Sequence, residues 1–155
     1  MIGITCSILF NEARRLGLKV TVSTAMFPSG HPATNEGLVY EESRWDGKTC
    51  LEYTPDGKML DIREDKKKVG AFLNPVRKDV RKFALSIVRE IVKNYDVDAY
   101  ALDYCRYPGD DSDFSADSHK AFEHYLGKKV RNFPDNIFTV SYTHLRAHET
   151  LANLV

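Results

Sequence analysis

The sequence predicts an α/β fold built on a parallel sheet, with roughly two to three of the eight βα units that a closed parallel barrel contains. Three observations predict it. A β-branched stretch, LKVTVSTAMF (18–27), follows a glycine that stops a helix. A long amphipathic helix lies between residues 74 and 96, and a short apolar strand, VDAYALDY (97–104), follows it directly. Strand, helix, strand, helix in that order gives parallel pairing with right-handed crossovers. A complete barrel of this kind usually takes about 250 residues, so 155 residues amount to part of one.

Each element has a local reason. Asn11-Glu12-Ala13-Arg14-Arg15 reads as the end of a helix, and Gly17 supplies its stop because glycine alone takes the left-handed conformation cheaply. Leu18, Val20 and Val22 alternate with Lys19, Thr21 and Ser23, the period of a strand. From Pro28 to Leu73 the chain is irregular, too long for a mere connection. It carries either a small strand pair, with Thr49 to Tyr53 leading into the turn Pro55-Asp56-Gly57, or a functional loop. The run Arg63 to Lys68 reads as a solvated turn. Val80, Phe83, Ala84, Ile87, Val88, Ile91 and Val92 form one apolar stripe on a helix of about four turns. Asn74-Pro75 suits its entry, and Asn94-Tyr95-Asp96 ends it. The strand 97–104 is apolar at most positions, as expected of one covered on both faces. A last helix spans about Ser115 to Lys129, with Ala121, Phe122, Tyr125, Leu126 and Val130 on one side.

Lys+Arg and Asp+Glu both number 22. That balance gives no footprint for a nucleic acid or an anionic membrane. No apolar run reaches the length of a membrane span, and no defined protein partner is readable. Cys6, Cys50 and Cys105 show no CxxC spacing, and an odd count argues against a disulfide framework. His144 and His148 stand four apart, but the metalloprotease pattern needs Glu directly after the first His and the chain has Leu145. No metal site is expected.

Asp103 is the central candidate for chemistry. In parallel α/β folds the carboxyl ends of the strands form the ligand face, and Asp103 stands at such an end. It is either a site carboxylate or a structural acid that caps a turn or pairs with Arg106. Around it, Tyr107 either lines a subsite or packs under the rim. Asn74 either bonds a sugar hydroxyl or caps the helix. Trp45 and His31 lie in the long loop; an aromatic face can stack on a sugar ring, although a lone Trp more often packs. Glu36, Asp46 and Glu52 read as surface loop acids. Cys105 has no His or Asn at a usable spacing.

These residues carry a resemblance. Asn74-Pro75, the helix, Tyr95-Asp96-Val97-Asp98 and Asp103-Tyr104-Cys105-Arg106-Tyr107-Pro108 resemble the core of the family-ten-like glycosyl hydrolases, with Ala99 where that family more often has glycine. The likeness extends over residues 9 to 139. It implies a TIM-type barrel that hydrolyses glycosidic bonds in a polysaccharide or oligosaccharide, needs no cofactor, and uses Asp103 as a catalytic carboxylate with a second acid on a later strand. Arg106, Tyr107, Asn74, Trp45 and His31 would then contact the substrate, and a pairing with Arg106 would keep Asp103 ionised. The alternatives are a non-catalytic carbohydrate-binding barrel and a purely structural α/β piece. A secreted, periplasmic or surface-attached parent fits equally. Residues 1–139 thus read as part of one barrel domain. The stretch 140–155, which resembles translated sequencing-adapter read-through, reads as a non-native tail.

Overall fold

Residues 2–137 are described by the computed structural model, with side chains from residue 7 onward. Helix α1 (Ile2–Arg15) ends with Arg14 and Arg15 in its last turn, where cations favour the helix dipole. Gly17 follows at φ 72°, the conformation expected of it. Strand β1 (Thr21–Ala25) then runs parallel to β4 (Ala99–Asp103), in register from Thr21 opposite Ala99 to Ala25 opposite Asp103. Helix α3 (Lys78–Asn94) leads into β4, so the expected strand–helix–parallel strand order holds. Asp98 fastens the start of this pair. Its Oδ2 accepts the Val20 amide at 2.7 Å and pairs with the Arg14 guanidinium at 2.9 Å, tying α1 to both strands.

The best-packed part of the molecule is the stretch that looks least regular in sequence. Between β1 and α3 lie α2 (Leu38–Glu41), a 3-10 turn (Ser43–Trp45) and a hairpin of β2 (Leu51–Tyr53) with β3 (Met59–Asp61). The strand pair expected as one alternative for this region is present. Phe27, Val39, Trp45, Cys50, Ile62, Ala71, Phe72 and Leu73 form one buried cluster with Val80 and Ala84 of α3. Removing a side chain such as Ile62 or Leu73 from water contributes about 1.5–3 kcal/mol. Burial requires the local backbone to be hydrogen-bonded, and long-range bonds do this. Cys50 N donates to Phe72 O, Leu73 N to Phe27 O, Ser29 N to Ala71 O and Ala71 N to Gly30 O, all at 2.8–3.0 Å.

Two expectations are corrected. β4 is not covered on both faces: all its residues but Tyr100 are exposed, Leu102 by 53%. The reason is that β1 and β4 form a sheet of two strands among the described residues, so no further layer shields it. Helix α4 (Ala116–Leu126), capped by the Ser115 hydroxyl and ended by Gly127 at φ 66°, keeps no residue buried, and Tyr125 is 85% exposed. Its apolar residues do not form a core-facing side. The α/β class stands. Residues 140–155, with His144 and His148, lie outside the described residues.

Candidate functional site

The carboxyl ends of β1 and β4 abut the buried cluster. Met26 N donates to Asp103 O at 2.9 Å, and the chain continues from β1 straight into Phe27 of the core. After Asp103 it must turn sharply. Tyr104 makes that turn at φ 47°, a conformation that costs a non-glycine residue about 1–2 kcal/mol. The Tyr104 ring meets Phe72 edge-on at 6.0 Å, which anchors the bend to the core. The Asp103 carboxylate accepts the Tyr104 amide at 2.8 Å and is otherwise exposed.

Arg106 does not pair with Asp103. Its guanidinium lies 5.3 Å from the Tyr104 ring centre and donates to the carbonyls of Tyr107 and Pro108 at 3.0 and 3.3 Å. The positive φ at Tyr104 explains the difference, because it redirects the chain before residue 106 is reached. The expected Asp103–Arg106 pair is therefore absent. What remains is an exposed acceptor (Asp103) and donor fork (Arg106) at the strand end, followed by Tyr107, 36% exposed, whose hydroxyl turns away to Ser118.

Beyond the rim, residues 109–114 run back across the hairpin. Tyr53 N donates to Asp111 O, and Phe114 N to Leu51 O, at 3.0 Å each. Lys68 sits between two carboxylates, 2.7 Å from Glu52 and 2.7 Å from Asp111. Burial pushes the Glu52 carboxyl above the usual glutamate range, and Lys68 opposes that rise.

Sequence reasoning overlooked Asp113, which organises the most connected polar cluster here. Its Oδ1 accepts the Leu51 amide at 2.6 Å. Its Oδ2 accepts from Asn74 Nδ2, Ser115 Oγ and Ser118 Oγ. Asn74, 1% exposed, also accepts the Val76 amide at 2.9 Å through Oδ1. Its carboxamide is thus spent on the scaffold. It is also not the cap of α3, whose N-terminal boundary residue is Arg77. The signal for Asp113 lies in its position two residues before the capping Ser115, where an acid can reach hydroxyls and amides of a first helical turn.

The expected site residues separate into groups. Asp103, Arg106 and Tyr107 share the rim. Asn74 and Tyr107 both reach Ser118, and the Tyr107 hydroxyl is raised in pKa by burial, with Ser118 opposing. Trp45 is 3% exposed, packed on Phe83 at 4.8 Å and covered by Arg44 at 4.7 Å, so it has no face to offer a sugar. His31 is exposed, in a surface turn closed by its amide on Glu36 O at 2.8 Å. Glu52 is buried rather than a surface acid. Among the described residues no cluster of three or more His, Cys, Asp or Glu is arranged to hold a metal ion, and no helix is long and apolar enough to cross a membrane.

Comparison with known proteins then bears on what this rim does. The chain is similar to an S-layer-related protein. That protein, from Niallia circulans, is 36% identical over 132 residues, which make up 82% of this chain but 8% of the relative's length. No family model matches the chain, and no solved structure matches it. The expectation of a family-ten-like glycosyl hydrolase is overturned: the similarity found is to an S-layer-related protein, and nothing supports Asp103 as a catalytic carboxylate.

Proposed function

We propose that this chain is one α/β module of a large surface-layer-related protein, and that it contacts carbohydrate without cleaving it. The observation that carries the first half is the similarity itself, which takes in most of this chain and a small share of the relative. The second half is supported by the rim: Asp103 accepts, Arg106 donates, and Tyr107 offers a ring face. Polyols need that mixture of hydrogen bonds and aromatic contact. The net charge of zero favours no charged macromolecule. We infer further that β1 and β4 are neighbouring strands of a larger parallel barrel, with residues 1–139 as this chain's share of it. The exposure of β4 supports that reading, since parallel strands are normally covered on both faces.

The test is co-sedimentation of the chain with purified, insoluble bacterial cell-wall polysaccharide, with reducing ends assayed in the supernatant. The expected result is protein in the pellet and no new reducing ends. Asp103→Ala and Arg106→Ala should each weaken retention by about 0.5–1.5 kcal/mol, the worth of an ordinary hydrogen bond. Retention unchanged in both variants would overturn the assignment of the rim.

A further inference from the structure

A concave feature lies between α4 and the segment that carries Asp113. It is a cleft of about 290 Å³, walled by Val76, Phe122, Phe133 and Ile137, with Tyr107 and Ser118 at its polar end. Its main aromatic wall is held from behind. The His119 ring stacks on Phe133 at 4.1 Å with 2° between planes, and Glu123 lies 3.3 Å from His119. Glu123 is fixed in turn by Lys129 at 2.6 Å and the Val130 amide at 3.0 Å. A wall fixed in this way loses little freedom when a ligand arrives.

Charge narrows the class of ligand. Asp113 lines the cleft, but four donors already share its two oxygens: Leu51 N, Asn74 Nδ2, Ser115 Oγ and Ser118 Oγ. The carboxylate therefore does not call for a cation. Among the described residues lining the cleft there is no Lys, Arg or His, so nothing calls for an anion. Tyr107 remains protonated at neutral pH, and its oxygen keeps acceptor capacity beside Ser118. Apolar walls, a few hydroxyls (Tyr107, Ser112 and Ser118) and a volume at the small end of ligand sites fit a neutral, amphipathic group of single-ring size.

We propose that this cleft binds the N-acetyl group of an amino sugar, with the methyl group against Phe133 and the amide N–H on the Tyr107 oxygen. Neutrality and size follow from the cleft alone; the choice of a sugar rests on the carbohydrate-contacting reading of the rim. The test is saturation-transfer NMR on the whole chain with N-acetylglucosamine and glucose as separate probes. Transfer should be strongest at the acetyl methyl protons, absent for glucose, and titrate with a Kd of about 1 mM. Phe133→Ala should weaken it by about tenfold or more. Ala121→Phe, which fills the cleft instead of enlarging it, should abolish transfer and serves if Phe133→Ala does not fold. No acetyl transfer, equal transfer for glucose, or transfer unchanged in both variants overturns the proposal. If the chain still sediments with cell-wall polysaccharide while N-acetylglucosamine gives no transfer, the cleft fails and the rim stands. If Asp103→Ala releases the chain from polysaccharide but leaves acetyl transfer intact, the cleft stands as a subsite that does not depend on Asp103.

Discussion

Replacing Asn74 isolates the cluster that joins the hairpin, α3 and α4. Asn74→Ala removes the donor to Asp113 and the acceptor of the Val76 amide, at a side chain 1% exposed. Each buried polar group left without a partner costs about 1–3 kcal/mol. Val76 N loses its side-chain acceptor, whereas Asp113 keeps three donors, so the loss should fall near 1–3 kcal/mol. Asn74→Asp keeps the acceptor for Val76 but sets a second carboxylate against Asp113, and two like charges in contact disfavour each other's ionisation. It should therefore destabilise more at pH 7 than at pH 4. The double variant Asn74→Asp with Asp113→Asn restores one donor and one acceptor and should recover part of the loss, a coupling of about 0.5–3 kcal/mol. Urea unfolding followed by circular dichroism measures all three, together with the single variant Asp113→Asn that the coupling requires. An Asn74→Ala loss under about 0.5 kcal/mol, the scale of an ordinary surface substitution, would refute the reasoning.

Trp45, the only tryptophan, should emit as a buried indole and resist acrylamide quenching, and Trp45→Ala should cost about 3–5 kcal/mol; quenching as fast as free tryptophan would contradict its place in the core. Glu52 is raised by burial, so the stability it contributes is fully present below the unfolded glutamate pKa and is lost as pH rises through the folded value. Relative to Glu52→Gln, the native chain should accordingly lose stability as pH rises above the ordinary glutamate value of about 4.3, as urea midpoints across a pH series would reveal. Cys50 is fully buried and its thiol pKa is pushed up by that burial. It should react with a thiol reagent only on unfolding, while exposed Cys105 reacts in the native state, which mass spectrometry of labelled peptides distinguishes.

Much of the local structure was legible. The stripe from Val80 to Val92 places α3, Gly17 ends the first helix, and the βαβ order gives the parallel pair, whereas the last helix stops at Gly127, short of the Lys129 its pattern suggests. The turn at Pro55-Asp56-Gly57 points to the hairpin. The core was not legible, because residues 27–73 have no period. Their burial depends on backbone bonds between distant irregular segments, such as Cys50 to Phe72 and Leu73 to Phe27. Helix α4 misled for a related reason: Phe122 and Tyr125 look like a packing face, yet Phe122 is only half-buried and Tyr125 is exposed. At the site, Asp103 was correctly placed at a strand end, but its separation from Arg106 follows from the backbone turn at Tyr104, which side-chain spacing does not encode. Asn74 and Asp113 are far apart in sequence and meet only through the fold.

The central claim is that the rim at the strand ends contacts carbohydrate without cleaving it. Titrating the isotopically labelled chain with a soluble cell-wall oligosaccharide, and following both partners by NMR, tests it most directly. Amide shifts should cluster at Asp103, Tyr104, Arg106 and Tyr107, and the anomeric signals of the oligosaccharide should stay unchanged on prolonged incubation. Shifts that leave these residues untouched, or new reducing-end signals that grow with time, would contradict the account.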